Sequence, residues 1–105
     1  MENERLNQLR EMLRDNPEDV FVSYAIGLEL FKTDSSENAF IHMKQLAESH
    51  PDYCPVFFKM GQWLSESGED EEALAWLKKA LQIAENENDK KAVNEIKEAI
   101  WLLED

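Results

Sequence analysis

The chain has 105 residues and a formal net charge of -12, from 23 acidic and 11 basic side chains. This charge repels nucleic-acid backbones and anionic membrane surfaces, so neither is an expected partner. No apolar run approaches the roughly 20 residues of a membrane span, and the charged N-terminus lacks the apolar segment of a signal peptide. With Cys54 as the sole cysteine no intramolecular disulfide can form. We therefore expect a cytoplasmic protein.

Helical periodicity runs along the whole chain and predicts an all-α fold of about six helices with short connections and no strand. Leucines three and four positions apart mark a first helix that ends near residue 16. The segment Asn16-Pro17-Glu18-Asp19 then predicts a stop and a new start. It offers an N-cap candidate, a proline where its missing N–H is tolerated, and acids in the first turn. The second helix should run to about Lys32.

Asp34 and Glu37 have the spacing of a capping box, which predicts a third helix that ends at about Ser49. The fourth helix should stop at Gly68, the one glycine placed like a helix terminus.

Acids at positions 69 to 72 begin the fifth helix, and Asn88-Asp89 caps the sixth. Residues at helical spacing give this last helix one apolar face. They are Val93, Ile96, Ile100 and Leu103.

The chain repeats itself at a separation of 34 residues, a period characteristic of helix-turn-helix arrays. Within each unit a glycine and a later alanine would lie where two antiparallel helices cross, because small side chains permit close approach. The matched pairs are Pro17 with Pro51, Ile26 with Met60, Gly27 with Gly61, Leu30 with Leu64, Ala39 with Ala73, and Met43 with Leu77.

The second unit resembles the tetratricopeptide repeat (TPR) family, whose pattern is matched by FFKMGQWL at 57–64 and by Ala73-x-x-x-Leu77. The first unit is a weaker copy, with Ser23 replacing the bulky residue. The resemblance implies antiparallel helix pairs stacked as an α-solenoid in a single domain. Its parts would be an N-terminal helix (1–16), repeat 1 (20–53), repeat 2 (54–87) and a C-terminal capping helix (89–105).

The resemblance also implies a concave groove that is lined by the first helix of each repeat and binds a peptide or a partner helix. Helical geometry places aromatic and aliphatic side chains on this flank, beside the core line of Ile26 and Leu30. Such a groove in acidic surroundings suits an apolar or amphipathic segment. The alternative is that a terminal helix covers these residues, which would make them core. The predicted contacts are Phe21, Tyr24, Leu28, Phe31, Phe58, Lys59 and Gln62.

Some members of this family grip an acidic C-terminal tail with a clamp of cationic and amide side chains. Carried over to this sequence, the clamp would fall on Tyr24, Leu28 and Lys59, and in the terminal helix on Asp89 and Val93. Only Lys59 is cationic, so the residues do not favour an acidic-tail ligand.

One stripe of the fifth helix distinguishes the two repeats. Trp76 and Ile83 stand where the first unit has His42 and Ser49. They are expected either to receive the sixth helix or to form a homodimer interface. Trp101 is the better dimer candidate, because it is turned off the apolar face of the last helix.

The sequence predicts neither an enzyme nor a metal or cofactor site. His42, His50 and Cys54 form no zinc signature, and no group is placed to activate a nucleophile. We expect an adaptor or scaffold whose partner is another protein or peptide. A self-associating module that forms a homodimer is the alternative.

Overall fold

The structure, a computed structural model, describes residues 3–33 and 35–104. Within these residues it contains six helices and no strand, which confirms the predicted fold class. The chain divides into two compact units, unit 1 (Met1–Pro51) and unit 2 (Asp52–Asp105). The helices are α1 (Glu4–Asp15), α2 (Val20–Thr33), α3 (Ser36–Ser49), α4 (Cys54–Glu66), α5 (Asp70–Asn86) and α6 (Lys90–Glu104).

In unit 1, α2 packs against both α1 and α3. Apolar residues three and four positions apart give each helix one buried face, because such residues share a side of a 3.6-residue turn. The buried apolar side chains are Leu6 and Leu9 of α1, Val22, Ile26 and Leu30 of α2, and Ala39, Met43, Leu46 and Ala47 of α3.

A polar network joins α1 to α2 around Glu29, which is only 8% exposed. Its carboxylate accepts a hydrogen bond from the Asn3 amide at 3.2 Å and lies 3.5 Å from Nε of Arg5. The Asn3 amide also donates to the Thr33 hydroxyl, and its carbonyl oxygen caps α1 by accepting from Leu6 N. A buried carboxylate is costly unless it has such partners. The network therefore fixes where α1 begins.

In unit 2, α5 packs against both α4 and α6. Its buried face carries small residues at Ala73, Ala80 and Ala84, and Leu77 is 1% exposed. In α6, Ile96 and Ile100 are buried, which places the predicted apolar face of this helix toward the core of the unit.

Both mid-helix glycines lie where a neighbouring helix approaches closely. A Cβ atom on Gly61 would lie 2.5 Å from Cδ2 of Leu77 and 3.4 Å from the carbonyl oxygen of Ala73. A Cβ atom on Gly27 would lie 2.5 Å from Cε of Met43. Each unit therefore shows the close helix approach that the repeat predicts. The nearest contact is with Leu77 in unit 2 and with Met43 in unit 1.

The start of α2 differs from the prediction. Asn16 ends α1, with its N–H donating to the carbonyl of Met12, and Pro17 lies in the connection. Asp19 caps α2, since its carboxylate accepts from Val22 N at 3.0 Å. The proline is therefore not the first residue of the helix, and no acid lies in the first turn of α2. Asp19 is the better cap because its side chain reaches the free N–H three residues later.

The capping-box prediction for α3 involved Asp34, which lies outside the described residues. The cap of α3 is Ser35, whose hydroxyl accepts from Asn38 N at 3.0 Å. After α4, Gly68 adopts a φ of 82°, and after α5 Asn88 adopts a φ of 59°. Both residue types tolerate this left-handed conformation, which ends a helix. Asp89 then caps α6 by accepting from Ala92 N.

Candidate functional site

Unit 2 contains an open cleft of about 200 Å³ between α4 and α6, here called the α4/α6 cleft. Gly61 of α4 and the buried Leu77 of α5 are among its lining residues. Gln62, Ser65 and Glu66 line it from α4, and Ala99, Leu102 and Leu103 line it from α6.

Helical spacing explains why these side chains meet. Ser65 follows Gly61 by four residues, and Leu102 and Leu103 follow Ala99 by three and four, so each set occupies one side of its helix. Leu102 lines the cleft and is 62% exposed, so its side chain is open to contact. The cleft therefore combines an apolar wall on α6 with a polar wall on α4.

The surroundings of the cleft are acidic. Glu66 lines the cleft itself and is exposed, and the exposed acids at 69–72 follow in the connection to α5 and in its first turn. At the end of α6 the carboxylate of Glu104 forms an ion pair of 3.6 Å with Lys78 of α5. The carboxylates of Glu66 and of residues 69–72 favour a cation near the cleft, whereas that of Glu104 already has one in Lys78.

In unit 1, the flank of α2 that was predicted to contact a partner carries four apolar residues. They are called the α2 flank and comprise Phe21, Tyr24, Leu28 and Phe31. Phe21 is 68% exposed, so α1 does not cover it, and Tyr24 and Leu28 are half-buried. The ring of Phe31 stacks on Phe40 of α3, with centroids 6.2 Å apart. Phe31 therefore supports the packing of α2 on α3 as well as reaching the surface.

Comparison with solved structures gives close matches in fold. A solution structure of a tetratricopeptide repeat domain protein from Salinibacter ruber has a TM-score of 0.79 and 26% identity, and the alignment covers 85% of this chain and 90% of that one. A crystal structure of a tetratricopeptide repeat domain protein from the same organism has a TM-score of 0.75 and 24% identity, covering 82% and 97%. A protein from Bordetella parapertussis has a TM-score of 0.79 and 18% identity, covering 98% and 89%.

The chain has a TPR-like fold. This agrees with the repeat of 34 residues and with the paired helices of each unit. No protein-family model matches the sequence, and no curated protein matches it significantly. TPR-like folds are helical repeat modules that typically mediate protein interactions, and the surface residues of each one determine what it binds.

The remaining predicted contacts of the TPR-like chain lie on α4. Gln62 lines the α4/α6 cleft, whereas Phe58 and Lys59 are half-buried and are not among its lining residues. The cleft brings Gln62 together with Leu102, which the groove prediction did not include. A signal for Leu102 exists in the run Ile-Trp-Leu-Leu at 100–103. A helix turns 100° per residue, so four consecutive apolar side chains cannot all face one neighbour.

The three candidate dimer residues of the TPR-like chain differ in exposure. The side chain of Ile83 is 5% exposed and belongs to the buried face of α5. Trp76 is half-buried, and its ring lies 5.4 Å from that of Phe57 on α4. Trp101 is 64% exposed. Of the three, Trp101 is the side chain that a second molecule can reach without rearrangement of unit 2.

The residues considered for catalysis or zinc binding, His42, His50 and Cys54, have neighbours within the fold. Nε2 of His42 lies 2.7 Å from the carbonyl oxygen of Ser23, and both residues line a polar cleft of about 190 Å³ in unit 1 that also includes His50. The Cys54 thiol donates to the carbonyl of Ala80 at 3.4 Å. Burial raises the pKa of this thiol above its ordinary value, and the nearby carboxylates of Glu87 and Asp89 raise it further.

The described part of the chain contains neither a metal-binding cluster nor a helix that could span a membrane. Across residues 3–33 and 35–104, no three or more His, Cys, Asp or Glu side chains are grouped so as to hold a metal ion. None of the helices in those ranges combines the length and the hydropathy that a bilayer span requires.

Proposed function

We propose that this TPR-like chain is a protein-interaction module, an adaptor or scaffold, that binds an apolar or amphipathic segment of another protein through the α4/α6 cleft of unit 2. The observation that carries the proposal is the exposure of Leu102 beside an open cleft with an apolar wall. An exposed apolar side chain at the edge of a concavity is a common feature of binding sites.

The α2 flank of unit 1 offers a second apolar contact surface, on which the ring of Phe21 is the most exposed. Lys59 and Phe58 remain proposed contacts on α4. Binding of this kind involves no chemical step. An apolar anchor of the partner segment enters the cleft, and polar groups at its edge orient the segment.

Affinity capture from lysate tests this function with matched variants. Leu102→Ser and Phe21→Ser each remove an exposed apolar contact, and Ile41→Ser removes one of similar exposure from α3, outside both surfaces. We expect the wild type and Ile41→Ser to capture the same protein and Leu102→Ser to lose most of it. Equal capture by the wild type and by the Leu102→Ser/Phe21→Ser double variant contradicts the proposal. Circular dichroism verifies that each variant remains helical.

Self-association is the alternative function, and the exposure of Trp101 is what favours it. Aromatic residues are enriched at interfaces, and α6 turns this indole away from its buried face. Sedimentation velocity of the wild type and of Trp101→Ser at micromolar concentration distinguishes the two functions. A dimer that dissociates in Trp101→Ser supports self-association, and a monomer in both proteins excludes it.

A further inference from the structure

The volume of the α4/α6 cleft limits what can occupy it. At about 200 Å³ the cleft exceeds the roughly 150 Å³ of a cavity that holds one benzene molecule. It is smaller than the roughly 300–1,000 Å³ of pockets that enclose drug-sized ligands. The cleft therefore has room for one side chain of the size of leucine or phenylalanine and is smaller than a pocket that encloses a drug-sized ligand.

The two walls suit the two parts of a peptide. On α6, Ala99, Leu102 and Leu103 offer contacts for an apolar side chain. On α4, the Gln62 amide both donates and accepts hydrogen bonds, and the Ser65 hydroxyl does the same. A peptide backbone needs such partners when it leaves water. A segment that inserts one apolar side chain can thus satisfy its backbone at the α4 wall.

Charge determines which neighbours this anchor side chain should have. The carboxylate of Glu66 lines the cleft, and exposed acids continue at 69–72. A basic side chain near the anchor would be attracted to these carboxylates, and an acidic one would be repelled. The attraction acts at the surface, so it affects selectivity and salt dependence more than affinity.

Building on the proposed interaction function, we propose that the partner segment of the α4/α6 cleft is a short apolar-basic motif. One leucine- or phenylalanine-sized side chain fills the cleft, and an adjacent lysine or arginine faces Glu66. The occupant is thus a segment of another protein, defined by one anchor and one cation.

Defined synthetic peptides test this motif. The parent peptide has a central leucine flanked by lysines in an alanine-glycine background, and its variants replace the leucine by alanine or the lysines by glutamate. Binding is followed by NMR through the amide signals of Gln62, Ser65 and Leu102. We expect the alanine peptide to bind roughly tenfold or more weakly, because that factor corresponds to burial of a leucine side chain. The glutamate peptide should bind roughly two- to fivefold more weakly.

Reversal of the charge at position 66 distinguishes a specific contact with Glu66 from a general preference of an acidic protein for basic peptides. In Glu66→Lys, the preference for the lysine peptide over the glutamate peptide should shrink or reverse, while the loss caused by replacing leucine remains. The control Glu48→Lys alters an exposed acid of α3, outside the cleft. If both variants change the preference equally, the assigned contact with Glu66 is wrong.

Other outcomes overturn the motif without ambiguity. Equal binding of the leucine and alanine peptides shows that no anchor enters the cleft. Signals of Gln62 and Leu102 that shift with protein concentration alone show that a second copy occupies it. The proposed function is tested independently by the capture experiment. Capture that depends on Leu102 together with peptides that show no leucine preference rejects the motif and leaves the interaction function standing.

Discussion

His42 donates a hydrogen bond from Nε2 to the backbone carbonyl of Ser23, across 2.7 Å between α3 and α2. A carbonyl oxygen can only accept, so Nε2 carries the proton. The residues 34 positions later are Phe57 and Trp76, whose rings pack at 5.4 Å between α4 and α5. The same pair of repeat positions therefore joins two helices by a hydrogen bond in one unit and by aromatic packing in the other.

The two versions of this pair should differ in their contribution to stability. We expect His42→Ala to lower the free energy of unfolding by about 1 kcal/mol, the net value of one hydrogen bond. Trp76→Ala should lower it by about 2–3 kcal/mol, since it loses both buried area and an aromatic pair. Urea denaturation followed by circular dichroism measures both. His42→Gln, which keeps an N–H donor, is the control, and an equal loss in His42→Gln and His42→Ala contradicts the assigned hydrogen bond.

Alanine at the two mid-helix glycines should have unequal effects. A new Cβ at Gly61 would meet Cγ and Cδ2 of Leu77, the branched part of a buried side chain, whereas at Gly27 it would meet the end of Met43. Methionine is flexible enough to move aside. We expect Gly61→Ala to destabilise unit 2 by about 1–3 kcal/mol despite the better helix propensity of alanine.

The measurement for Gly61→Ala uses tryptophan fluorescence, because all three tryptophans lie in unit 2. Gly27→Ala is the matched variant in unit 1 and is followed by amide hydrogen exchange of α2 and α3. A larger loss for Gly27→Ala than for Gly61→Ala would show that the contact with Leu77 is not the limiting one.

Much of the fold was predictable because its evidence is local and repeated. The repeat is found by counting along the chain, because Gly27 and Gly61, Ile26 and Met60, and Leu30 and Leu64 are all separated by 34 residues. Helix caps were less predictable, since Asn16 and Asp19 are both good caps and the choice depends on which side chain reaches a free N–H. Glu29 was missed because a glutamate on a helix is expected to be exposed. Its burial depends on Asn3 and Arg5, which are distant in sequence.

The candidate site was only partly predictable. Gln62 follows from the rotation of α4, which helical geometry supplies. The exposure of Leu102 depends on how α6 rotates against α5. The sequence alone does not show which of the apolar side chains at 100–103 is left exposed. Packing of Ile96 and Ile100 against the unit selects one rotation, and Leu102 is then left beside the cleft.

Removal of the Glu29 carboxylate should loosen α1. In Glu29→Ala, the Asn3 amide and the Arg5 guanidinium lose their acceptor, and we expect unit 1 to lose about 1–3 kcal/mol. Hydrogen exchange should accelerate most at the amides of Leu6 and Leu9, the two residues of α1 whose side chains are buried. Glu29→Gln retains an acceptor for Asn3 and should lose less. Unchanged protection of α1 in Glu29→Ala would show that apolar packing alone holds the helix.

Cys54 should react slowly with thiol reagents. Burial raises the pKa of its thiol, so at neutral pH it has a smaller thiolate fraction than an ordinary cysteine, and reactivity should appear only at higher pH. The pH profile of iodoacetamide alkylation, compared with that of the urea-unfolded chain, measures the shift. Glu87→Gln removes one raising carboxylate and should move the midpoint of the profile downward. A native midpoint at or below the unfolded one contradicts the assignment.

Chemical-shift mapping on isotope-labelled protein tests the central claim most directly. The captured partner, or its minimal binding segment, is titrated into the wild type and into Leu102→Ser. We predict that the largest shifts fall on Gln62, Ser65, Ala99 and Leu102, around the α4/α6 cleft, and that Leu102→Ser weakens them. Unchanged signals of these four amides, with shifts that cluster on other surfaces, would contradict binding at the α4/α6 cleft.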